Sequence, residues 1–242
     1  MVAALIAELA PSVSMVRLEA HRPAGGSDLE MVINYFWNVA LCKALYPSIH
    51  ALEISLRNNI HNAATTHYGN PAWFDLPDVL LDRQRELIQD ARDDLVKRGK
   101  PQTPDDIVAA LMLGFWVSLL NKPFELALHP APANRLAWHD ARSRPSPLFM
   151  ATFPHVPKAM QSRKKIGKRC NSVLWLRNRV MHHETIWKYT DLPDRHEGIL
   201  EMIGWLNPAM HATIAFCDDF PTVHAGGRAG IEARLKTYLA TR

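Results

Sequence analysis

Apolar positions along this chain recur every three to four residues, and no stretch sustains the two-residue alternation of a half-buried strand. After an amphipathic opening piece that ends at the breaker HRPAGG, Ser27-Asp28-Leu29-Glu30 reads as a capping box, serine at the cap and glutamate three on. It predicts a helix to about Leu45, with Met31, Ile33, Tyr35, Phe36 and Val39 supplying apolar surface. Pro47 predicts a restart as a first-turn proline, and the next helix runs to Gly69. A charged helix over 78–98 follows. Thr103-Pro104-Asp105-Asp106 then opens IVAALMLGFWVSLLN, apolar nearly all round and expected to be one central helix. In it Gly114 is expected at a close helix crossing, and Phe115 and Trp116 in the core. Residues 121–157 are proline-rich and predict a long connection with a short helix around Asn134 to Ala141; His139, Arg142 and Arg144 read as an exposed polar loop in preference to the lining of a substrate groove. The longest helical pattern runs from Pro157 to about His183. Helices over 194–206 and 208–218, the break HAGGRAG and a final amphipathic helix complete the chain. The fold class predicted is all-α, with residues 1–26 an arm or loose helix, 27–190 the main helical domain, and 191–242 helices packed on or extending it.

Composition narrows the function classes. Hydrophobic residues make up 48% and charged residues 21% of the 242, an ordinary globular balance. The net charge of +4 suggests a polyanionic partner only where the charge is clustered. Three distant cysteines, Cys42, Cys170 and Cys217, fit a reducing cytoplasm better than a disulfide framework or zinc site. No basic leader precedes the first apolar run, and no run reaches membrane-spanning length, so neither a signal peptide nor a membrane partner is expected.

The chemistry is concentrated in CNSVLWLRNRVMHHETIW, residues 170–187. Arg177, Asn178, Arg179, His182, His183 and Glu184 fall within eight residues, after the apolar lead-in Val173-Leu174-Trp175-Leu176. At helical spacing Asn178 and His182 lie about 40° apart and share a face, whereas Arg177 and His182 diverge by about 140°. A long arginine can bend around, and a second copy across a two-fold axis would also supply the missing half. Arginine is a rigid phosphate clamp, and histidine is a proton carrier that ordinarily titrates near neutrality. Upstream, Arg163, Lys164, Lys165, Lys168 and Arg169 place five bases in seven residues, a run able to track a phosphate backbone toward the motif. Glu53 and Arg57, four apart, read either as a structural pair or as support for the active centre. His182-His183-Glu184 makes a poor metal site, because neighbours in sequence point apart on a helix; no metal or cofactor is expected.

Arg177-Asn178, three residues, then His182 resembles the Arg-polar, four to six residues, His signature of the HEPN superfamily. The fuller LRNRVMHHETI is similar to the Abi-like proteins of bacterial abortive infection, and LEISLRNNI, GFWVSLL and Phe153-Pro154 agree with that match. The resemblance spans roughly residues 30 to 190. It implies a HEPN-type helical bundle, a homodimer with a shared site, and a toxin-type ribonuclease of antiviral defence, with an antitoxin or regulatory RNA as a further partner.

In RNA the 2′-hydroxyl adjoins its own phosphate, so cleavage needs only geometry, proton transfer and charge neutralisation. A histidine moves the protons and an arginine stabilises the dianionic phosphorane, leaving a 2′,3′-cyclic phosphate and a 5′-hydroxyl without a metal. His182 takes the primary role because it shares a face with Asn178; His183 also falls within the spacing window. The alternative is a catalytically silent RNA-binding module or a scaffold subunit of a defence complex.

Overall fold

The computed structural model describes residues 1–125 and 135–241, and every regular element among them is helical. They divide into two compact units: 1–49, 176–197 and 215–242 form the first, 50–175 and 198–214 the second. The divisions therefore fall elsewhere than the sequence boundaries at 26/27 and 190/191.

In the first unit, α1 (Val2–Val13) and α2 (Met15–Glu19) precede α3 (Asp28–Tyr68). The expected arm is instead part of a core. Leu5, Ile6 and Leu18 are buried with Met31, Val32 and Ile33 of α3 and with Leu235 and Leu239 near the chain end. The capping box forms as read: the Ser27 amide donates to Glu30 Oε2 at 2.8 Å and the Glu30 amide to Ser27 Oγ at 3.3 Å. Pro47 does not restart the chain. One helix of 41 residues runs through it, although proline has no N–H to give the carbonyl four residues earlier; one position on, the Ser48 hydroxyl donates to the Leu45 carbonyl at 3.0 Å.

The second unit takes the rest of α3 and then α4 (Asp82–Lys97), which starts four residues later than expected. The capping box of Thr103 and Asp106 opens α5 (Pro104–Ala110), but the apolar stretch is two helices, not one. Leu111 and Met112 are extended, and α6 (Leu113–Ser118) begins afresh with the Leu113 amide donating to Glu53 Oε1 at 3.1 Å. A half-buried acceptor thus satisfies an amide that a continuous helix would have paired internally. Phe115 and Trp116 are core, as read. Gly114 is not at a close crossing, since an added Cβ would meet nothing within 4 Å; Gly167 is at a close approach, where an added Cβ would lie 2.9 Å from the Leu120 carbonyl oxygen.

The expected helix around Asn134 to Ala141 is absent over 135–141; Asn134 itself lies outside the described residues. There Asp140 accepts from the Arg142 and Arg144 amides, each at 2.9 Å, closing a turn behind the His139–Pro145 bridge. His139 is buried, not exposed as expected. The rest comprises α7 (Pro147–Thr152), α8 (Arg163–Met181), α9 (Leu192–Leu206), α10 (Pro208–Ile214), α11 (Phe220–Gly226) and α12 (Ala229–Ala240). At 19 residues α8 is shorter than the pattern suggested, because a 3₁₀ turn at Lys158–Met160 precedes it. No described helix is long and apolar enough to cross a membrane.

Candidate functional site

Helix α8 stops inside the motif. The His182 amide still donates to the Asn178 carbonyl at 2.8 Å, so the helical register holds to that residue. His183 then turns left-handed at φ 56°; its amide donates back to Val180 and the Glu184 amide to Arg179, at 3.3 and 2.8 Å. These two bonds make a Schellman cap, a position that ordinarily belongs to glycine. A histidine in it costs backbone strain, and such residues cluster where surrounding structure imposes them for function. Both imidazoles are exposed.

The side chains of Glu184 and Arg179 pair across this cap. With His182 and His183 they border an open groove of about 570 Å³, whose other wall is α2 and its flanks. Arg17, His21 and Lys188 complete its basic lining, and Tyr189 adds an aromatic ring. Ser14, which caps α2 by accepting from the Arg17 amide at 3.3 Å, also borders it with φ 72°. So two of the four non-glycine residues with positive φ in the described chain line this one groove.

Two asparagines one turn apart on α3 hold the two walls, and the sequence reading missed both. Asn38, buried, accepts from the Ile186 and Trp187 amides at 2.7 and 3.2 Å and donates to the Glu184 carbonyl at 3.1 Å. Asn34, fully buried, donates to the His21 carbonyl at 3.0 Å and accepts from Arg228 at 3.2 Å. The signal was in the chain: two polar residues at i, i+4 interrupt the apolar run MVINYFWNVAL, which is where a buried hydrogen-bond ladder would sit.

The other expected site residues separate. Arg177 and Asn178 are half-buried and do not line the groove; Arg177 Nη1 lies 3.5 Å from Asn178 Oδ1. Arg163 is turned inward, pairing with Glu125 at 3.1 Å and donating to the Leu120 carbonyl at 2.9 Å. Arg169 pairs with Glu201 and stacks over Trp205, 4.9 Å from the ring centre. That leaves Lys164, Lys165 and Lys168 as the exposed bases of the run. Glu53 serves α6, and Arg57 Nε donates to Asn58 at 3.1 Å; both residues belong to the second unit, whereas the motif belongs to the first. Among the described residues no group of three or more His, Cys, Asp or Glu is placed to hold a metal ion.

No family model, curated protein or solved structure matches this chain. The site therefore has to be read from its own chemistry. A second groove in the first unit, about 530 Å³, is lined mostly by apolar side chains, with Lys43, Arg234 and Tyr238 its polar groups and no histidine or carboxylate in its lining. The groove at the end of α8 has two exposed imidazoles beside cations, the set that proton transfer next to a negative charge requires.

Proposed function

We propose that the chain is a metal-independent endoribonuclease of the HEPN type, acting at the tandem histidines that end α8. The observation that carries the reading is the exposed His182-His183 pair, held in a left-handed cap on the rim of a groove bearing Arg17, Arg179 and Lys188. The motif's likeness to Abi-like proteins supports the same chemistry and points to phage defence, a cytoplasmic setting and a toxin-type role.

In the reaction one imidazole takes the 2′-hydroxyl proton while the hydroxyl oxygen attacks the adjacent phosphorus. The P–O5′ bond breaks, the leaving oxygen receives a proton, and a 2′,3′-cyclic phosphate remains. His182 is the first candidate for these transfers and His183 the second; consecutive residues at a helix cap diverge, so the two imidazoles can serve opposite faces of the phosphate. Charge on the phosphorane falls to an arginine. Arg179 borders the groove already, while Arg177 lies off it, so the Arg177 of a second copy paired about a two-fold axis would complete a shared site.

The test is cleavage of total RNA by the purified protein in EDTA, with His182→Ala, His183→Ala, Arg177→Ala and Arg179→Ala alongside. Cyclic-phosphate ends that vanish with His182→Ala or His183→Ala and with one arginine variant are expected. Intact RNA at every dose, in a protein that still binds it, would reduce the chain to a silent RNA-binding module.

A further inference from the structure

The groove carries more positive charge than the cleavage step uses. Arg17, Arg179 and Lys188 face a single carboxylate among its lining, Glu184, and Arg179 is the residue paired with it. Arg17 is exposed on α2, and no ion pair engages it among the described residues. Lys188 is exposed, its ammonium donating to the Ala20 carbonyl at 3.0 Å and lying 5.5 Å from the Trp187 ring centre. Both cations thus meet at the α2 wall, Lys188 reaching it from the facing segment, and among the described residues no ion pair engages either.

A second observation points to the same wall. His21 is 1% exposed, and its Nδ1 has no hydrogen-bond partner. Burial first, then the charges of Lys188 and Arg17, push its imidazole down to about 4. Both cations therefore bear on the buried imidazole of that wall. Tyr189 lines the same groove and offers a ring on which a base can stack.

We propose that this wall is a phosphate subsite for an RNA strand, in which Arg17 and Lys188 hold the phosphate next to the one that the histidines face. This rests on the ribonuclease reading in taking RNA as the polymer and in setting its neighbouring phosphate at the histidines. The subsite fixes the strand's register, so binding at it requires neither imidazole to be active. Arginine holds two phosphate oxygens at once in a planar fork, and lysine adds a point charge.

The experiment measures anisotropy of a labelled 2′-O-methyl RNA strand, whose blocked 2′-oxygen prevents cutting, across a salt series. Arg17→Ala and Lys188→Ala are each expected to weaken binding at low salt by about tenfold, as for one lost charge-assisted contact. Each is also expected to lower the slope of log K against log salt by about 0.7, the value per phosphate on a single strand. Arg17→Lys keeps the slope and loses part of the affinity. An unchanged slope and affinity in both alanine variants would overturn the subsite, as would no binding of the strand at low salt, or binding of phosphatidylserine vesicles in its place. Strand binding that behaves as expected beside intact RNA in the cleavage assay would retain the subsite and sink the ribonuclease reading instead.

Discussion

Asn38→Ala is the perturbation that bears most directly on how the histidine cap is held. The side chain makes three hydrogen bonds to the segment just after the cap, to the Ile186 and Trp187 amides and the Glu184 carbonyl, at 2.7, 3.2 and 3.1 Å. Each contributes about 0.5–1.5 kcal/mol net, and a buried group left unpaired costs about 1–3 kcal/mol. Ile186 is fully buried, so its amide has no ready access to water, whereas Trp187 and Glu184 reach solvent more easily. The sum is about 3 kcal/mol, within the total stability of about 5–15 kcal/mol of an ordinary domain, so the variant still folds. At about 2–4 °C per kcal/mol for a chain of this size, Tm falls by about 6–12 °C. Thermal unfolding reads the total, and amide exchange at Ile186 reads the location. Asn38→Asp keeps the acceptor for both amides and loses the donor to Glu184, so its Ile186 amide stays better protected than in Asn38→Ala. A Tm drop under about 2 °C with Ile186 exchange unchanged would refute the clamp.

Two further outcomes follow from the same structure. Because the folded imidazole of His21 lies at about 4 against the ordinary 6.5, the unfolded chain binds the extra proton between those values. Stability is then full above about pH 6.5 and declines as pH falls toward 4, by about 3 kcal/mol from this group. His61 and His196, also depressed by burial, add a loss of the same sign. Urea unfolding at a series of pH values is expected to give a shallower decline in His21→Phe, and parallel curves would contradict the assignment. Gly167→Ala forces a Cβ to 2.9 Å from the Leu120 carbonyl and is expected to destabilise by about 1–3 kcal/mol, while Gly114→Ala, with nothing within 4 Å, gains up to about 1 kcal/mol. Chemical denaturation of the pair checks the order, and the reverse order would contradict the close approach.

The sequence by itself determined the helical class, the capping box at Ser27 and the capped helix start at Thr103, the core role of Phe115 and Trp116, and the cluster of arginines and histidines near residue 180. These are local properties, set by period, by caps and by residue type within a turn or two. What depended on partners distant in the chain was not legible. Pro47 lies inside a helix that packing carries through it, and the apolar run after Thr103 breaks where Glu53, some sixty positions earlier, accepts the Leu113 amide. Arg163 looks like any other base of its run until Glu125 and the Leu120 carbonyl claim it. The groove is the clearest case. Spacing along one ideal helix paired Asn178 with His182 and ranked His183 second, but the helix ends in a left-handed turn at His183, and α2 supplies Arg17 from some 160 residues away. Helical periodicity describes a face only while the helix lasts; where it stops, the tertiary bonds of Asn34 and Asn38 decide which side chains meet.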